Sequence, residues 1–270
     1  IIHMKNLKIY CVTNKTVNFL DNTNYNIGWV GKEMPPENYI LCNSEDNIFF
    51  KEKYYSELTF QYWHWKNRLD IKDQSWIGFC QKRRFWIKKK SINKIIDKKN
   101  FTDHILFDAP EDWDDFESII CEPIFVNKVK KIKMLKRGIK SILKKPSIFF
   151  DENQQSLAFH FDMHHGYGNL KKATDLVDIE DRSDFLNFVN TSTSYNPHIM
   201  FIAKPQIVNR WFNTLFPWLL RCEKEFGFEE LQGYDTQRLY AYLAERYLSF
   251  WFNKHTKTLE WPWIFFDANQ

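Results

Sequence analysis

The chain has 270 residues, of which 44% are hydrophobic and 18% aromatic, and its formal net charge is +4. This length fits one large α/β domain or two small ones. No run of about 18 apolar residues is present, which predicts no membrane-spanning helix. Ile1–His3 precede Met4 and are interpreted as a remnant of an expression vector, and without a basic and apolar leader we expect a cytoplasmic protein. The cysteines are widely spaced and never form a CxxC pair, which argues against a disulfide framework or a zinc site.

The predicted elements alternate between short apolar strands and helices. The predicted strands, in chain order, are Leu7–Thr13, Trp76–Cys80, His104–Phe107, Ile148–Phe150, Leu157–Phe161 and Ile199–Ala203. The predicted helices are Glu52–Arg68, a helix opened by Lys204-Pro205 that continues through Arg221, and Asp235–Asn253. This alternation predicts an α/β fold with a mostly parallel central sheet and helices on both faces.

Polar residues at strand ends are the first candidates for a site, because ligands of such sheets bind outside the carboxyl ends of the strands. This rule selects Thr13–Lys15, Gln81–Arg84, Asp108 and Lys204. The two arginines of the second group suit a diphosphate, since guanidinium groups bind phosphate oxygens bidentately and stay charged. The alternative for this group is a solvated basic loop.

A basic segment lies between residues 127 and 147. It contains no acid and nine cations, which are Lys128, Lys130, Lys131, Lys133, Lys136, Arg137, Lys140, Lys144 and Lys145. Apolar residues recur there at steps of three and four and predict an amphipathic helix; they are Val129, Ile132, Leu135, Ile139 and Ile142. The helix either lies on an anionic membrane or packs on its own domain with its lysines in water. Because the rest of the chain carries a net charge of −5, the sequence disfavours a nucleic-acid partner.

The stretch from Tyr54 to Trp86 carries a family resemblance. It matches a pattern of the domain-of-unknown-function family 4422 at Tyr55, Glu57, Leu58, Thr59, Tyr62, Trp63, Trp65, Lys66, Asn67, Ile77, Gly78, Arg83 and Arg84. Further matches are Asp46–Ile48, His164-His165, Met200–Ile202, Arg238 and Glu245–Leu248. The chain therefore resembles this family, which occurs in capsular and lipopolysaccharide gene clusters and is regarded as glycosyltransferases. Two departures are Gln81-Lys82, where the family has His-Tyr, and the more basic segment 127–147.

The resemblance implies a GT-A-like nucleotide-diphospho-sugar transferase fold in a single glycosyltransferase domain over residues 4–270. Residues 4–115 would form the donor-binding half, 127–147 the basic segment, and 148–270 the acceptor and catalytic half. The implied reaction moves a sugar from a nucleoside diphosphate donor to a glycan acceptor, free or lipid-linked, in surface polysaccharide synthesis. The expected donor is UDP-linked, with galactofuranose or galactose as the sugar.

Metal use is the main open choice. The GT-A strand that corresponds to Trp76–Cys80 normally ends in Asp-x-Asp, which holds Mn²⁺ or Mg²⁺, whereas this one ends in Gln-Lys-Arg-Arg. We expect Arg83 and Arg84, with Lys82, to replace the metal ion, so that no cofactor is needed. The alternative is a metal-dependent enzyme that uses Asp108, Asp112 or Asp114.

The expected donor-binding residues are Thr13, Lys15, Gly31, Glu57, Lys82, Arg83, Arg84, Lys204 and Arg238. The expected catalytic residues are Asp162, His164, His165 and Asp235, because an inverting transfer needs a general base beside the acceptor hydroxyl. Glu245-Arg246 is read either as an internal ion pair or as part of the catalytic site. A non-catalytic carbohydrate-binding protein is the alternative function; it would share the aromatic residues but would not need a basic strand end.

Overall fold

A computed structural model describes residues 6–268, so Ile1–His3 and the outermost residues of the predicted domain 4–270 lie outside it. The chain forms two compact units. The sheet unit comprises the described residues up to Glu122, together with His198–Asn213 and the residues from Trp251 onward. The helical unit comprises Pro123–Pro197 and Thr214–Phe250. The sheet unit thus draws on both predicted halves of the chain, and the functional division between those halves stays a prediction.

The strands of the described residues are β1 Leu7–Thr13, β2 Asn26–Trp29, β3 Ile40–Leu41, β4 Trp76–Gln81, β5 Arg84–Trp86, β6 Ser118–Cys121, β7 Ile124–Phe125, β8 Ser194–Tyr195, β9 Phe201–Ala203, β10 Thr258–Trp261 and β11 Trp263–Phe265. The α-helices are α1 Glu52–Tyr55, α2 Leu58–Asn67, α3 Phe101–His104, α4 Lys131–Arg137, α5 Ile139–Lys144, α6 Leu157–His165, α7 Asn169–Asp175, α8 Ile179–Thr191, α9 Pro205–Phe226, α10 Tyr234–Gln237 and α11 Leu239–His255. None of the described helices is long and apolar enough to cross a membrane.

The central sheet has the order β3-β2-β1-β4-β9-β6-β10. Strand β1 pairs in parallel with β2 and β4, β2 with β3, and β6 with β10. Only β9 in this path runs antiparallel to its neighbours, β4 and β6. Strand β4 turns directly into β5, which pairs with β11. The predicted α/β class with a mostly parallel sheet is confirmed.

One face of the sheet is covered by a large core cluster. Side chains alternate along a strand, so Ile9, Trp76 and Cys80 belong to this face. Phe101 of α3 and Trp113 of a short 3₁₀ helix join the same cluster, and the rings of Trp76 and Trp113 are 5.2 Å apart. Each of these large aromatic side chains buries a large apolar area.

The opposite face is covered by longer helices. Tyr10 of β1 lies 5.8 Å from Phe60 of α2, measured between ring centroids. Phe79 of β4 lies 6.2 Å from Phe212 of α9. Helices therefore cover both faces, as the sequence predicted.

The structure confirms some of the predicted strands and contradicts others. The first two, Leu7–Thr13 and Trp76–Cys80, are confirmed as β1 and β4, and the prediction for Ile199–Ala203 is confirmed over the shorter β9. The prediction for His104–Phe107 is wrong, because α3 ends at His104 and Ile105 alone makes an isolated bridge, to Ile87.

Two further strand predictions are wrong because buried helical turns are as continuously apolar as strands. Ile148–Phe150 falls largely within the 3₁₀ helix Pro146–Phe149. Leu157–Phe161 opens α6, whose first turn is capped by the Ser156 side chain as it accepts a bond from the Phe159 N–H.

The predicted helices are present but interrupted. The prediction Glu52–Arg68 divides at Ser56, which has a φ of 53°, so that α1 ends and α2 begins. The prediction Asp235–Asn253 divides at Arg238 into α10 and α11. The helix predicted to run from Lys204-Pro205 through Arg221 is confirmed and extends to Phe226.

Candidate active site

The carboxyl ends of β1 and β4 lie side by side, because Val12 is in register with Gln81. Strand β4 reverses there, since Gln81 pairs with Arg84 of β5 in antiparallel fashion. Lys82 and Arg83 therefore form a two-residue turn at the edge of the sheet where ligands of parallel sheets bind.

A pocket of about 540 Å³ opens at this edge. Its cationic side chains are Lys15, Lys82, Arg83 and Lys98, and its single acid is Asp267. Its other lining residues are Thr16, Val17, Asn18, Phe19 and Ala268. The excess of positive charge makes this pocket suited to an anion such as a diphosphate.

Contacts between these loops hold the basic groups in place. The Lys82 ammonium donates to the Asn14 side-chain oxygen at 2.6 Å, which joins the turn after β4 to the loop after β1. The Arg83 guanidinium lies 3.6 Å from the Asp267 carboxylate and is 44% exposed. Thr13 is buried, and its hydroxyl bonds the backbone of Lys15 within the turn, so its predicted contact with the donor stays a prediction. Of the predicted donor residues, Lys15, Lys82 and Arg83 come together.

Three predicted donor residues do not line this pocket. Arg84 opens β5 and its guanidinium lies 3.4 Å from the Gln81 side-chain oxygen. Gly31 follows β2, where an added Cβ would come within 2.5 Å of the Trp29 ring. Glu57 precedes α2 and accepts a hydrogen bond from the Ser56 hydroxyl. Their predicted contacts with the donor stay predictions.

The placement of Lys204 at this edge is wrong. It follows β9, and β9 is antiparallel to β4, with Ala203 opposite Ile77 near the start of β4. The Lys204 ammonium accordingly donates to the Gln74 carbonyl at 2.9 Å and lies 4.5 Å from the centroid of the Trp76 ring, at the opposite edge of the sheet. Arg238 belongs to the helical unit and is not among the residues that line the pocket.

The acidic turn considered for a metal contains exposed carboxylates. Asp112 forms an ion pair with Lys89 at 2.5 Å, and Asp108 and Asp114 are exposed. Within residues 6–268 there is no group of three His, Cys, Asp or Glu side chains placed to hold a metal ion.

In the helical unit, His165 is held in a defined tautomer. Its Nδ1 lies 2.7 Å from the Asp235 carbonyl oxygen. A carbonyl can only accept, so Nδ1 carries the proton and Nε2 carries the lone pair. Burial, with the nearby Arg246 charge, lowers the pKa of His165 to about 3. The ring stacks on Tyr242 at 3.8 Å, and the Asp235 carboxylate instead pairs with Arg137 at 3.2 Å.

Arg246 is a buried cation that borders this group. It is 1% exposed and pairs with Glu245 at 2.9 Å, which confirms the predicted ion pair. A second nitrogen donates to Nδ1 of His160 at 3.2 Å, and burial together with the arginine lowers the pKa of His160 to about 2. The rings of Tyr195 and Phe161 lie 4.6 and 5.2 Å from the guanidinium carbon. The pair and these rings compensate a buried charge.

The ring of His164 contacts the backbone of its own helix. Its Nδ1 lies 2.8 Å from the His160 carbonyl oxygen, one turn earlier in α6. Partial burial lowers the pKa of His164. The predicted double histidine is thus one neutral ring held by the backbone of its helix and one held by Asp235.

Asp162 lies on α6 but lines a separate cavity of about 530 Å³. Its carboxylate accepts bonds from the Gly168 N–H at 2.9 Å and from the Ser141 hydroxyl at 3.3 Å. Burial raises the pKa of Asp162, and these two donors oppose that effect. Polar and aromatic groups around it include Asn190 and Tyr167.

Sequence reasoning missed Lys98, Asp267 and His160. Lys98 lies in a charged turn that resembles any solvated loop, and Asp267 follows β11, a strand that was not predicted. His160 is the third histidine of α6, one turn before the pair, and its spacing of four from His164 was the available signal.

Comparison with known proteins gives one structural likeness. The fold matches a solved apo structure described as the WbbM bifunctional glycosyltransferase, with a TM-score of 0.71 and 18% sequence identity. The match covers 97% of this chain and 46% of that one, so this chain spans about half the length of that protein. At this identity the likeness shows a shared fold. No curated protein matches the sequence. A family model described as domain of unknown function (DUF4422) matches residues 8–257, and the chain therefore belongs to the DUF4422 family.

Proposed function

We propose that the protein is a glycosyltransferase that moves a sugar from a nucleoside diphosphate donor to a glycan acceptor. The observation that carries this proposal is the pocket at the carboxyl edge of the sheet, where Lys15, Lys82, Arg83 and Lys98 converge. The fold shared with a protein described as a glycosyltransferase supports it.

The chemical reason lies in the leaving group. Breaking the bond between sugar and phosphate leaves negative charge on the departing nucleoside diphosphate, and preorganised cations stabilise charge that develops in the transition state. We infer that Arg83 binds the diphosphate through its guanidinium fork while Asp267 orients it, and that Lys82 and Lys15 add ammonium groups. These fixed charges make the reaction independent of a divalent metal ion.

The donor and the setting of the reaction follow from the family resemblance. We propose a UDP-sugar, with galactofuranose or galactose as the transferred group, in the synthesis of capsular polysaccharide or lipopolysaccharide. The acceptor is a glycan, free or lipid-linked, at the cytoplasmic side of the inner membrane.

For the general base, we propose Asp162 rather than His165. A base whose conjugate acid has a pKa of about 3 accepts a proton poorly near neutral pH, which weakens the case for His165. Asp162 lines an open cavity, and burial moves its pKa upward toward the working range. We propose that Asp162 accepts the proton of the acceptor hydroxyl and that Tyr167 and Asn190 bind the acceptor sugar.

Incubation with UDP-, GDP- and CMP-sugars, with and without EDTA, tests this proposal. Release of the nucleotide in EDTA from one donor class supports the metal-independent reaction. Asp162→Asn should lower kcat more than it raises donor KM, because a base acts mainly in the transition state. Turnover that stops in EDTA and returns with Mn²⁺ would make the enzyme metal-dependent. Sugar binding without turnover of any donor would favour the carbohydrate-binding alternative.

A further inference from the structure

Helices α4 and α5 present a row of apolar side chains to solvent. The members of the row are exposed by 42–75%; they are Ile132, Leu135, Ile139 and Leu143. Their spacing of three, four and four residues places them on one side of the helices. Exposed isoleucine and leucine side chains in such a row mark an interaction surface more often than scattered single ones do.

The other side of α4 and α5 is packed, and this packing fixes which side faces outward. Met134 is fully buried in a small cluster with Ile148, Phe159 and Met163. Gly138, between the two helices, is so close to Phe159 that an added Cβ would come within 2.7 Å of its ring. The predicted apolar stripe is therefore divided. One part of it packs inward against this cluster, and the other part belongs to the exposed row and faces solvent.

A row of lysines runs beside the apolar row. Each exposed apolar residue is followed directly by an exposed lysine, and these are Lys133, Lys136, Lys140 and Lys144. No acid occurs between residues 127 and 147. Arg137 is the cation of this segment that pairs with a carboxylate, Asp235, at 3.2 Å. The surface thus combines apolar contacts with a dense, one-signed charge.

We propose that this surface, the α4–α5 surface, binds the face of an anionic lipid bilayer. The outward isoleucines and leucines would enter the boundary between headgroups and acyl chains, and the lysine stems would lie along it with their ammonium groups at the lipid phosphates. A nucleic acid would complement the lysines but would leave the apolar row in water. The inference is independent of the proposed donor site, because it uses none of the residues of the cationic pocket.

Co-sedimentation of the full chain with vesicles tests this surface. The vesicles contain phosphatidylcholine alone or phosphatidylcholine mixed with phosphatidylglycerol. We expect binding to the mixed vesicles only, and weakening by salt, because surface attraction is screened. Ile132→Ser with Leu143→Ser should abolish binding, as should Lys136→Glu with Lys140→Glu. Each lost cation weakens binding by about fivefold, and charge reversal weakens it more.

Matched controls make the same changes elsewhere on the exposed surface. Ile71→Ser with Ile95→Ser removes two exposed isoleucines, and Lys90→Glu with Lys94→Glu reverses two exposed lysines, all in the sheet unit. Both controls should bind vesicles like the native chain. Nucleotide release from a soluble donor, measured without vesicles, should be equal in all variants, which separates this inference from the proposed function.

Three outcomes would overturn the inference. The first is a native chain that does not bind the anionic vesicles at low salt. The second is vesicle binding that survives both pairs of substitutions on the α4–α5 surface. The third is self-association of the native chain in sedimentation that is lost in Ile132→Ser with Leu143→Ser, while vesicle binding is unchanged. This outcome would assign the apolar row to contact with a second copy of the chain.

Discussion

Arg83 and Arg84 are neighbours in sequence but have different surroundings. Arg83 lines the cationic pocket and lies 3.6 Å from Asp267, whereas Arg84 begins β5 and lies beside Gln81. We expect Arg83→Ala to lower kcat/KM by about 100- to 1,000-fold, the usual cost of one preorganised donor to developing charge. The kcat/KM of Arg83→Lys should lie between that of the native chain and that of Arg83→Ala, because lysine keeps the charge but lacks the guanidinium fork. Steady-state kinetics with the preferred donor measures this; a larger loss in Arg84→Ala than in Arg83→Ala would contradict it.

The buried histidines of α6 should make the protein sensitive to mild acid. Histidine in an unfolded chain titrates near pH 6.5, whereas burial lowers the pKa of His160 to about 2 and that of His165 to about 3. Between these values the unfolded chain binds protons that the folded chain does not, so stability falls as the pH drops through this range. From about pH 7 to about pH 5 the loss is about 2 kcal/mol for each histidine. Urea unfolding at the two pH values measures it.

In the variant His160→Asn, the unfolded chain no longer binds a proton at residue 160. Its unfolding free energy should therefore fall less between the two pH values than that of the native chain, whatever its absolute stability. Equal pH dependence in the two proteins would show that His160 is not held neutral in the folded state.

At the scale of elements, the direction of β9 decides the position of Lys204. Because β9 is antiparallel to β4, Lys204 lies at the start of β4 while Lys82 lies at its end. Lys204→Ala should therefore leave the donor KM unchanged, whereas Lys82→Ala should raise it several-fold through the loss of an ammonium group near the diphosphate. Donor titrations of both variants test this; a similar rise in KM for Lys204→Ala would mean that the site extends to the other edge.

The contact between α2 and β2 depends on a glycine. An added Cβ at Gly28 would lie 2.6 Å from the Phe60 ring of α2, so the ring must shift or the helix must move away. Overpacking of this kind costs about 1–3 kcal/mol. Denaturant unfolding of Gly28→Ala should show this loss, and Asn22→Ala, at an exposed position of the same segment, should be within about 0.5 kcal/mol of native. An unchanged Gly28→Ala midpoint would show that α2 is not closely packed there.

The elements that sequence reasoning placed correctly are those with a strong local pattern. The strands β1 and β4 are apolar runs followed by polar groups, and α9 is long and follows a Lys-Pro start. The strands that were missed, such as β6 and β10, have four residues each and are stabilised by pairing with distant segments. The sequence pattern predicts a strand at the first turn of α6, because the burial of this turn hides the helical period, although Ser156 marks a helix cap.

For the whole molecule, the predicted site was only partly recoverable from the sequence. The neighbouring ends of β1 and β4 follow from the rule for parallel sheets, which brings Lys15, Lys82 and Arg83 together. Lys98 and Asp267 complete the pocket from loops that carry no periodic signal. Asp162 and His165 are three residues apart on α6, yet they have different partners, because Asp162 lines its own cavity and His165 meets Asp235.

We infer that the cationic pocket binds the diphosphate of the donor without a metal ion. Calorimetric titration of UDP into the full chain in EDTA tests it most directly, with Arg83→Ala and the control Lys204→Ala measured beside it. We expect the native chain and Lys204→Ala to bind UDP alike and Arg83→Ala to bind it at least about tenfold more weakly, because Arg83→Ala loses a charge-assisted pair. Binding that requires Mn²⁺, or binding that Arg83→Ala retains in full, would contradict it.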